Sequence, residues 1–232
     1  MKARLPGFGL IVGLILSLGA EAQDTLLGAG VRSRPDYDGS REQQTDVVPV
    51  IRYYGRRWFA RTTQGILEGG VRSELDRDFW AGAQLAYEPE FDPAGEGAGL
   101  SAGLHLEWDR PLGRVPLTFL LRGRQHLDGD LGGQADLRVT AGIFARGGLL
   151  AGAFGQATWG TESAVASRYG ARDSGLLHVS FGLLASYDLG PRWVLVGGIE
   201  LRQLYDAAKE SALAQETSNY YATAGLAYRF PR

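Results

Sequence analysis

Between Leu177 and Asp188 the side chains alternate in character at every step. Leu177, Val179, Phe181, Leu183, Ala185 and Tyr187 share one parity. His178, Ser180, Gly182, Ser186 and Asp188 share the other, interrupted only by Leu184. The same period of two governs Ala98 to Asp109, Ala135 to Arg146 and Tyr220 to Phe230. A strand places successive side chains on opposite faces, so each segment reads as a strand with one apolar face. These runs exceed the five or six residues typical of globular sheets, and they match the ~9–11 residues of a tilted, membrane-crossing strand.

The N-terminus gives that length a meaning. Lys2 and Arg4 precede an uncharged run from Gly7 to Leu18, and Ala20, Glu21 and Ala22 form a small-x-small site. This is the layout of a cleaved secretory signal over residues 1–22, which makes 23–232 a single exported domain beginning at Gln23. No later stretch reaches the ~18 apolar residues of a membrane helix. A chain of this kind can cross a bilayer only as a closed barrel, because an open sheet leaves backbone groups unpaired in lipid. The expected fold class is therefore all-β: a transmembrane antiparallel up-and-down barrel of about twelve strands, with ten as the alternative.

The strands are expected near 25–33, 45–54, 57–64, 66–73, 78–88, 97–109, 114–126, 133–146, 149–160, 175–188, 192–204 and 218–230, the third, fourth and ninth being weakly patterned. Even-numbered connections are short: Gly55–Arg56, Glu74 to Arg77, Arg110 to Gly113, Gly147–Gly148 and Gly190–Pro191. Odd-numbered ones are long and polar: Ser33 to Gln44, Pro89 to Glu96, Leu127 to Gly132, Thr161 to Ser174 and Tyr205 to Glu216. Only the connection at Gly65 departs from this rule. Short periplasmic turns and long outer loops predict both termini in the periplasm. Trp108, Tyr187, Trp193, Tyr228 and Phe230 fall at short-turn ends on the apolar parity, where an interfacial girdle belongs.

On this parity Glu107, Arg122, Arg124, Asp136, Arg138, Glu200 and Arg202 line the lumen, joined by Arg146 and Arg229. Lysine occurs only at positions 2 and 209, so the positive charge is almost all guanidinium. Such a lining suits either anion selection or cross-strand ion pairs that fill a narrow interior. A formal net charge of −2 gives no footing for a nucleic-acid partner, and the absence of cysteine excludes disulfides and thiolate chemistry.

Catalytic motifs do not hold up. Gly99, Ser101 and Gly103 spell a nucleophile elbow, but that motif needs a strand-to-helix turn and here lies inside a continuous strand. Ser101 and His105 stand roughly 13 Å apart at strand rise, too far for proton transfer. His105, His126 and His178 take the lumen parity, away from lipid substrates. No histidine or carboxylate spacing suits a metal, no glycine run makes a phosphate loop, and no cofactor is expected.

Thr223, Gly225, Tyr228 and Phe230 resemble the C-terminal signal read by the barrel-assembly machinery, although Pro231 and Arg232 follow. Leu27 to Val31, then Pro35, Asp36, Tyr37, Asp38, Gly39 and Ser40, resemble the opening of the MipA/OmpV family. Val48–Val50, Tyr53–Gly55, Arg57–Phe59 and the closing Gly225–Phe230 continue the likeness. The resemblance implies a non-enzymatic outer-membrane barrel, in contact with outer-membrane lipid, acting as a scaffold for peptidoglycan-processing enzymes. A small porin-like diffusion channel is the alternative, and a lipid-modifying enzyme the third reading. The Pro35–Ser40 loop is the family's best local mark, and its proline, aspartates and glycine suit tight bends.

Overall fold

The computed structural model describes residues 25–88, 99–171 and 173–230. The signal segment, the whole 89–96 connection with residues 97–98 of the expected sixth strand, Arg172 and Pro231–Arg232 lie outside the described residues. The strands are β1 (Thr25–Pro35), β2 (Gln43–Tyr54), β3 (Trp58–Thr63), β4 (Ile66–Asp76), β5 (Phe79–Glu88) and β6 (Gly99–Leu112), followed by β7 (Val115–His126), β8 (Gly133–Arg146), β9 (Leu149–Gly160), β10 (Gly175–Asp188), β11 (Trp193–Leu204) and β12 (Ser218–Phe230). Each pairs antiparallel with its sequence neighbours, and β1 pairs with β12, so twelve strands close into an up-and-down barrel. Among the described residues no helix is long and apolar enough to cross a membrane.

The faces are inverted relative to a water-soluble barrel. Leu104 is 69% exposed, Phe181 63% and Leu226 42%, all on the outside, whereas Arg122 is 1% exposed and Glu68 wholly buried. Outward aromatics gather at the short-turn end. Trp193 and Tyr228 meet edge to face at 5.3 Å, Tyr228 and Phe230 at 4.9 Å, and Trp108 tilts against Phe119 at 5.7 Å.

Several strands run further than their residues suggest. β4 continues to Asp76 and β6 to Leu112, leaving turns of Arg77–Asp78 and Gly113–Arg114; β1 and β2 pair as far as Pro35 and Gln43. Three register shifts interrupt the ladders, one between Glu74 and Asp76 at the β4–β5 turn, and the other two alter the expected parity. A register shift between Gly142 and Phe144 leaves Ile143, Phe144 and Arg146 all exposed, so Arg146 is not in the lumen. A second shift, at Leu176 to His178, accompanies a Leu177 that is buried at the rim and not lipid-facing.

The long connections carry structure that strand parity does not predict. Helix α1 (Glu162–Tyr169) starts at Thr161, whose hydroxyl accepts from the Ala164 amide, and ends at Gly170 in the left-handed region. Helix α2 (Asp206–Glu210) follows β11. Val165, Tyr169, Leu177, Leu204 and Ala208 bury one another between the two helices and the strand ends, forming an apolar cap over the long-loop mouth.

Closure between β1 and β12 relies on close backbone approach. A Cβ at Gly28 would stand 2.6 Å from the Ala227 Cα and closer still to the Leu226 carbonyl oxygen. Gly28→Val should therefore open the seam. The folded, fast-migrating band of an unboiled sample on a gel should be depleted relative to wild type. Wild-type mobility and yield would show that the two strands are not so close.

Candidate functional site

Side chains from non-adjacent strands meet across the lumen. Arg122 on β7 pairs with Glu68 on β4 and, at 2.8 Å, with Asp136 on β8. Arg61 on β3 pairs with Glu68 at 2.8 Å and reaches Glu107 on β6 at 3.1 Å. Arg124 holds Glu88 on β5 at 2.5 Å and Asp136 at 3.4 Å. Only an inward-pointing set can connect β3 to β6 or β4 to β7, so these bonds place the charges inside the wall. Buried carboxylates need hydrogen-bonded cations, and forked guanidinium groups supply several donors each.

Arg138 belongs to the same interior but meets a ring. Its guanidinium lies 3.9 Å from the centre of Phe154, and its Nε donates to Thr140 at 3.4 Å. Arg72 is held similarly between Tyr54 at 4.5 Å and Trp80 at 4.4 Å, near the short-turn mouth. Glu107 and Glu200 also face inward. Glu200 accepts from Arg202 at 3.0 Å and from Gln64 at 2.9 Å.

The long-loop mouth is tied down from inside. In the Pro35–Ser40 loop, Asp38 turns into the lumen. It accepts from both Arg202 Nη1 contacts at 2.9 and 2.7 Å and from the Tyr221 hydroxyl. Burial works against this charge, but Arg202, His178 and Tyr221 outweigh it and hold the carboxyl well below the usual carboxylate range. Gly39 donates to Asn219 Oδ1 at 2.7 Å, and Asn219 donates back to Ser40 O at 2.9 Å. Gly39 has φ +98°, a left-handed conformation suited to glycine, and a Cβ there would press on Ala214 at 3.1 Å. Tyr37 donates to Leu213 O at 3.2 Å, and the Asp36 carbonyl accepts from Arg34 at 2.8 Å. From α1, Arg168 reaches Glu88 at 3.4 Å and lies 3.2 Å from His126 Nε2.

Two of the cavities among the described residues lie in the lumen, of about 450 and 390 Å³. Their linings share Arg32, Val48, Pro49, Gln64, Gly65 and Tyr221, so they meet at the tip of the β3–β4 hairpin. Gln64 and Gly65 both have positive φ, 53° and 85°, as a two-residue type I′ turn requires. The short connection that broke the loop rule is thus an inward hairpin crossing toward β11.

A family model described as MltA-interacting protein MipA matches residues 27–230. The chain belongs to the MipA family. No curated protein matches the sequence. Among solved structures, the NanC porin aligns with TM-score 0.55 at 12% identity, covering 89% of this chain and 100% of the porin. The COG4313 outer membrane channel from Pseudomonas putida F1 aligns with TM-score 0.57 at 12% identity, covering 98% and 100%. At such identity the likeness concerns the fold alone.

In this MipA-family chain Glu107, Arg122, Arg124 and Asp136 join one ion-pair lattice through Arg61 and Glu68. Glu200 and Arg202 form a second set with Asp38, Arg138 lies against Phe154, Arg229 pairs with Asp188, and Arg146 is outside the lumen. Thr223, Gly225, Tyr228 and Phe230 sit on β12, with Phe230 exposed beside the β1 seam. Ser101 and His105 are both buried and share no hydrogen bond; His105 packs edge-on against Phe59 at 5.1 Å. Parity did not single out Glu68 or Arg61, which are central to the lattice, because their strands are short or weakly alternating. It also missed Asp38 and Arg168, whose loops have no strand rhythm.

Removing one member of a buried pair strands the other. Glu68→Ala leaves Arg122 and Arg61 short of a carboxylate and should cost about 3–5 kcal/mol of folding free energy, read by urea unfolding in detergent. A loss below 1 kcal/mol, the scale of exposed pairs, would mean the lattice is hydrated. A depressed Asp38 pKa contributes stability above the unfolded value of ~3.9, lost as pH falls through the folded one. Hydrogen-exchange protection of residues 36–42 should thus be equal at pH 7 and pH 5, and Asp38→Asn should abolish it at both. Loss of protection in the wild type by pH 5 would contradict this pairing.

Proposed function

We propose that this protein is an outer-membrane barrel, exported by its N-terminal signal, that binds a peptidoglycan-processing enzyme at its short-turn face. The termini and short turns then lie in the periplasm, as an even strand number with asymmetric loops favours. Membership of a family described as MltA-interacting supports an enzyme partner of this kind. The braced lumen and capped long-loop mouth favour a binding role over free diffusion.

One observation carries the choice of face. Every short turn presents an exposed arginine: Arg56 and Arg57 after β2, Arg77 after β4, Arg114 after β6, Arg146 at the end of β8 and Arg192 after β10. The long-loop side carries exposed carboxylates at Glu42, Asp128, Asp130, Glu162 and Asp173 with Arg41 among them, whereas at the short turns the exposed carboxylates Glu74 and Asp76 are confined to the turn of Arg77. A ring of guanidinium groups around one mouth suits an acidic partner surface, because complementary charge steers encounter and fixes orientation.

Pull-down from native envelopes tests this. The wild-type barrel should retain a peptidoglycan-processing enzyme. A variant with Arg56, Arg57, Arg114 and Arg192 changed to Glu should lose it while keeping the heat-dependent gel shift. Equal recovery by both, or recovery of assembly machinery alone, would overturn the proposal. Discrete conductance in planar bilayers would favour the channel reading instead.

A further inference from the structure

Among the described residues the β2–β3 ladder is much shorter than either strand allows. β2 spans Gln43–Tyr54, but it pairs with β3 only at Arg52–Arg61, Tyr53–Ala60 and Tyr54–Phe59. Beyond Arg52 its β1 edge stays paired as far as Gln43, and among the described residues no strand is hydrogen-bonded to its other edge. The backbone direction at that edge follows from the hairpin. Gly55 N donates to Trp58 O at 2.8 Å, so every second residue, Tyr53, Ile51, Pro49 and Val47, aims its backbone groups toward the β3 side. Pro49 has no amide hydrogen, the feature expected of an unpaired edge. Val47 and Ile51 keep theirs, and hydrocarbon alone cannot satisfy them.

The lumen cavity of about 450 Å³ reaches this gap. Its lining combines lumen arginines with Val47, Pro49, Leu67 and Tyr87, whose side chains take the outward parity. Val47 is 81% exposed, and Tyr87 has the amphipathic ring favoured at a membrane–water boundary. One cavity is therefore lined both by the charged interior and by the lipid-facing surface. Six arginines line it against the four carboxylates Asp38, Asp46, Glu88 and Asp136, with Glu68 behind Arg122 as a fifth. At about 450 Å³ it has the size of a small-ligand site.

We infer that this gap is a side portal, through which a membrane amphiphile places its phosphate or carboxylate headgroup among the lumen arginines while its chain stays in the bilayer. Arg124 and Arg168, already converging on Glu88, are placed to donate to such a headgroup, and the headgroup or its water satisfies the free edge of β2. Arg202 and Asp38 brace the long-loop end of this cavity, and for a ligand whose chain stays in the bilayer entry runs through the wall. The ligand is a lipid-class anion and not a solute crossing the membrane.

The test uses the full barrel in vesicles containing phosphatidylglycerol with a photoreactive group at the headgroup, with the matching phosphatidylcholine as comparison. Crosslinks mapped to the residue should fall on Gln156 or Thr158 in the lumen. The anionic lipid should label these about tenfold more strongly, the ratio expected of one charge-assisted hydrogen bond. Val47→Trp and Leu67→Trp, which crowd the gap from outside, should each reduce lumen labelling several-fold with the heat-dependent gel shift intact. Labelling confined to outward residues, or equal for the two lipids, would overturn the portal. A water-soluble photoreactive glycerophosphate that labels the lumen as well as the lipid does, unaffected by either tryptophan, would make the cavity a soluble-anion site and equally overturn it.

Discussion

Hydrocarbon offers a backbone nothing to bond, and most of this structure can be derived from that condition. Twelve antiparallel strands answer it by pairing each with its neighbours, most sparsely between β2 and β3, and returning β12 to β1. The close approach at Gly28 lets the last seam shut. Once lipid occupies the outside, Leu104, Phe181 and Leu226 are stable where water would disfavour them, and polar residues of the opposite parity have only the lumen to occupy.

That second consequence creates its own difficulty. A twelve-stranded barrel is wider than one packed by side chains alone and narrower than an aqueous porin. Here long, forked arginines span the width. Arg122 joins β4, β7 and β8, and Arg61 joins β3, β4 and β6. Where carboxylates run short, Arg72 and Arg138 lie against aromatic rings. The same chemistry reaches the rim, where Asp38 draws the β1–β2 loop down onto Arg202 and Tyr221. The interior is a polar core, and the two proposed binding surfaces lie at its margins: the arginine-bearing turns at one end and the edge of β2 at the side.

Much of this was legible in the sequence because barrel strands are long and keep one period. Strand order, the closed barrel and the inward placement of Arg122, Arg124, Asp136 and Arg138 follow from alternation. Parity fails where one residue is inserted, and the shift at Gly142–Phe144 turns Arg146 outward. It is silent in loops, so α1 and α2 went unread, although Thr161, Glu162 and Gly170 are ordinary helix start and stop residues. Partner choice across the lumen, such as Glu68 with Arg122, depends on barrel curvature and tilt, which no local window contains. Pro49 on β2 was a local sign of an unpaired edge, but only the register with β3 gives it that meaning.

The whole architecture depends on which side of each strand meets lipid, and the absence of cysteine makes that measurable residue by residue. Single cysteines at Leu104, Phe181 and Leu226, and in the lumen at Ser180 and Thr158, can carry a nitroxide in barrels reconstituted into vesicles. The first three should relax with membrane-dissolved oxygen and resist a water-soluble nickel chelate, and the last two should show no such preference for oxygen. Protection of Leu104, Phe181 and Leu226 from oxygen, with Ser180 and Thr158 exposed to it, would mean an apolar centre and contradict the account.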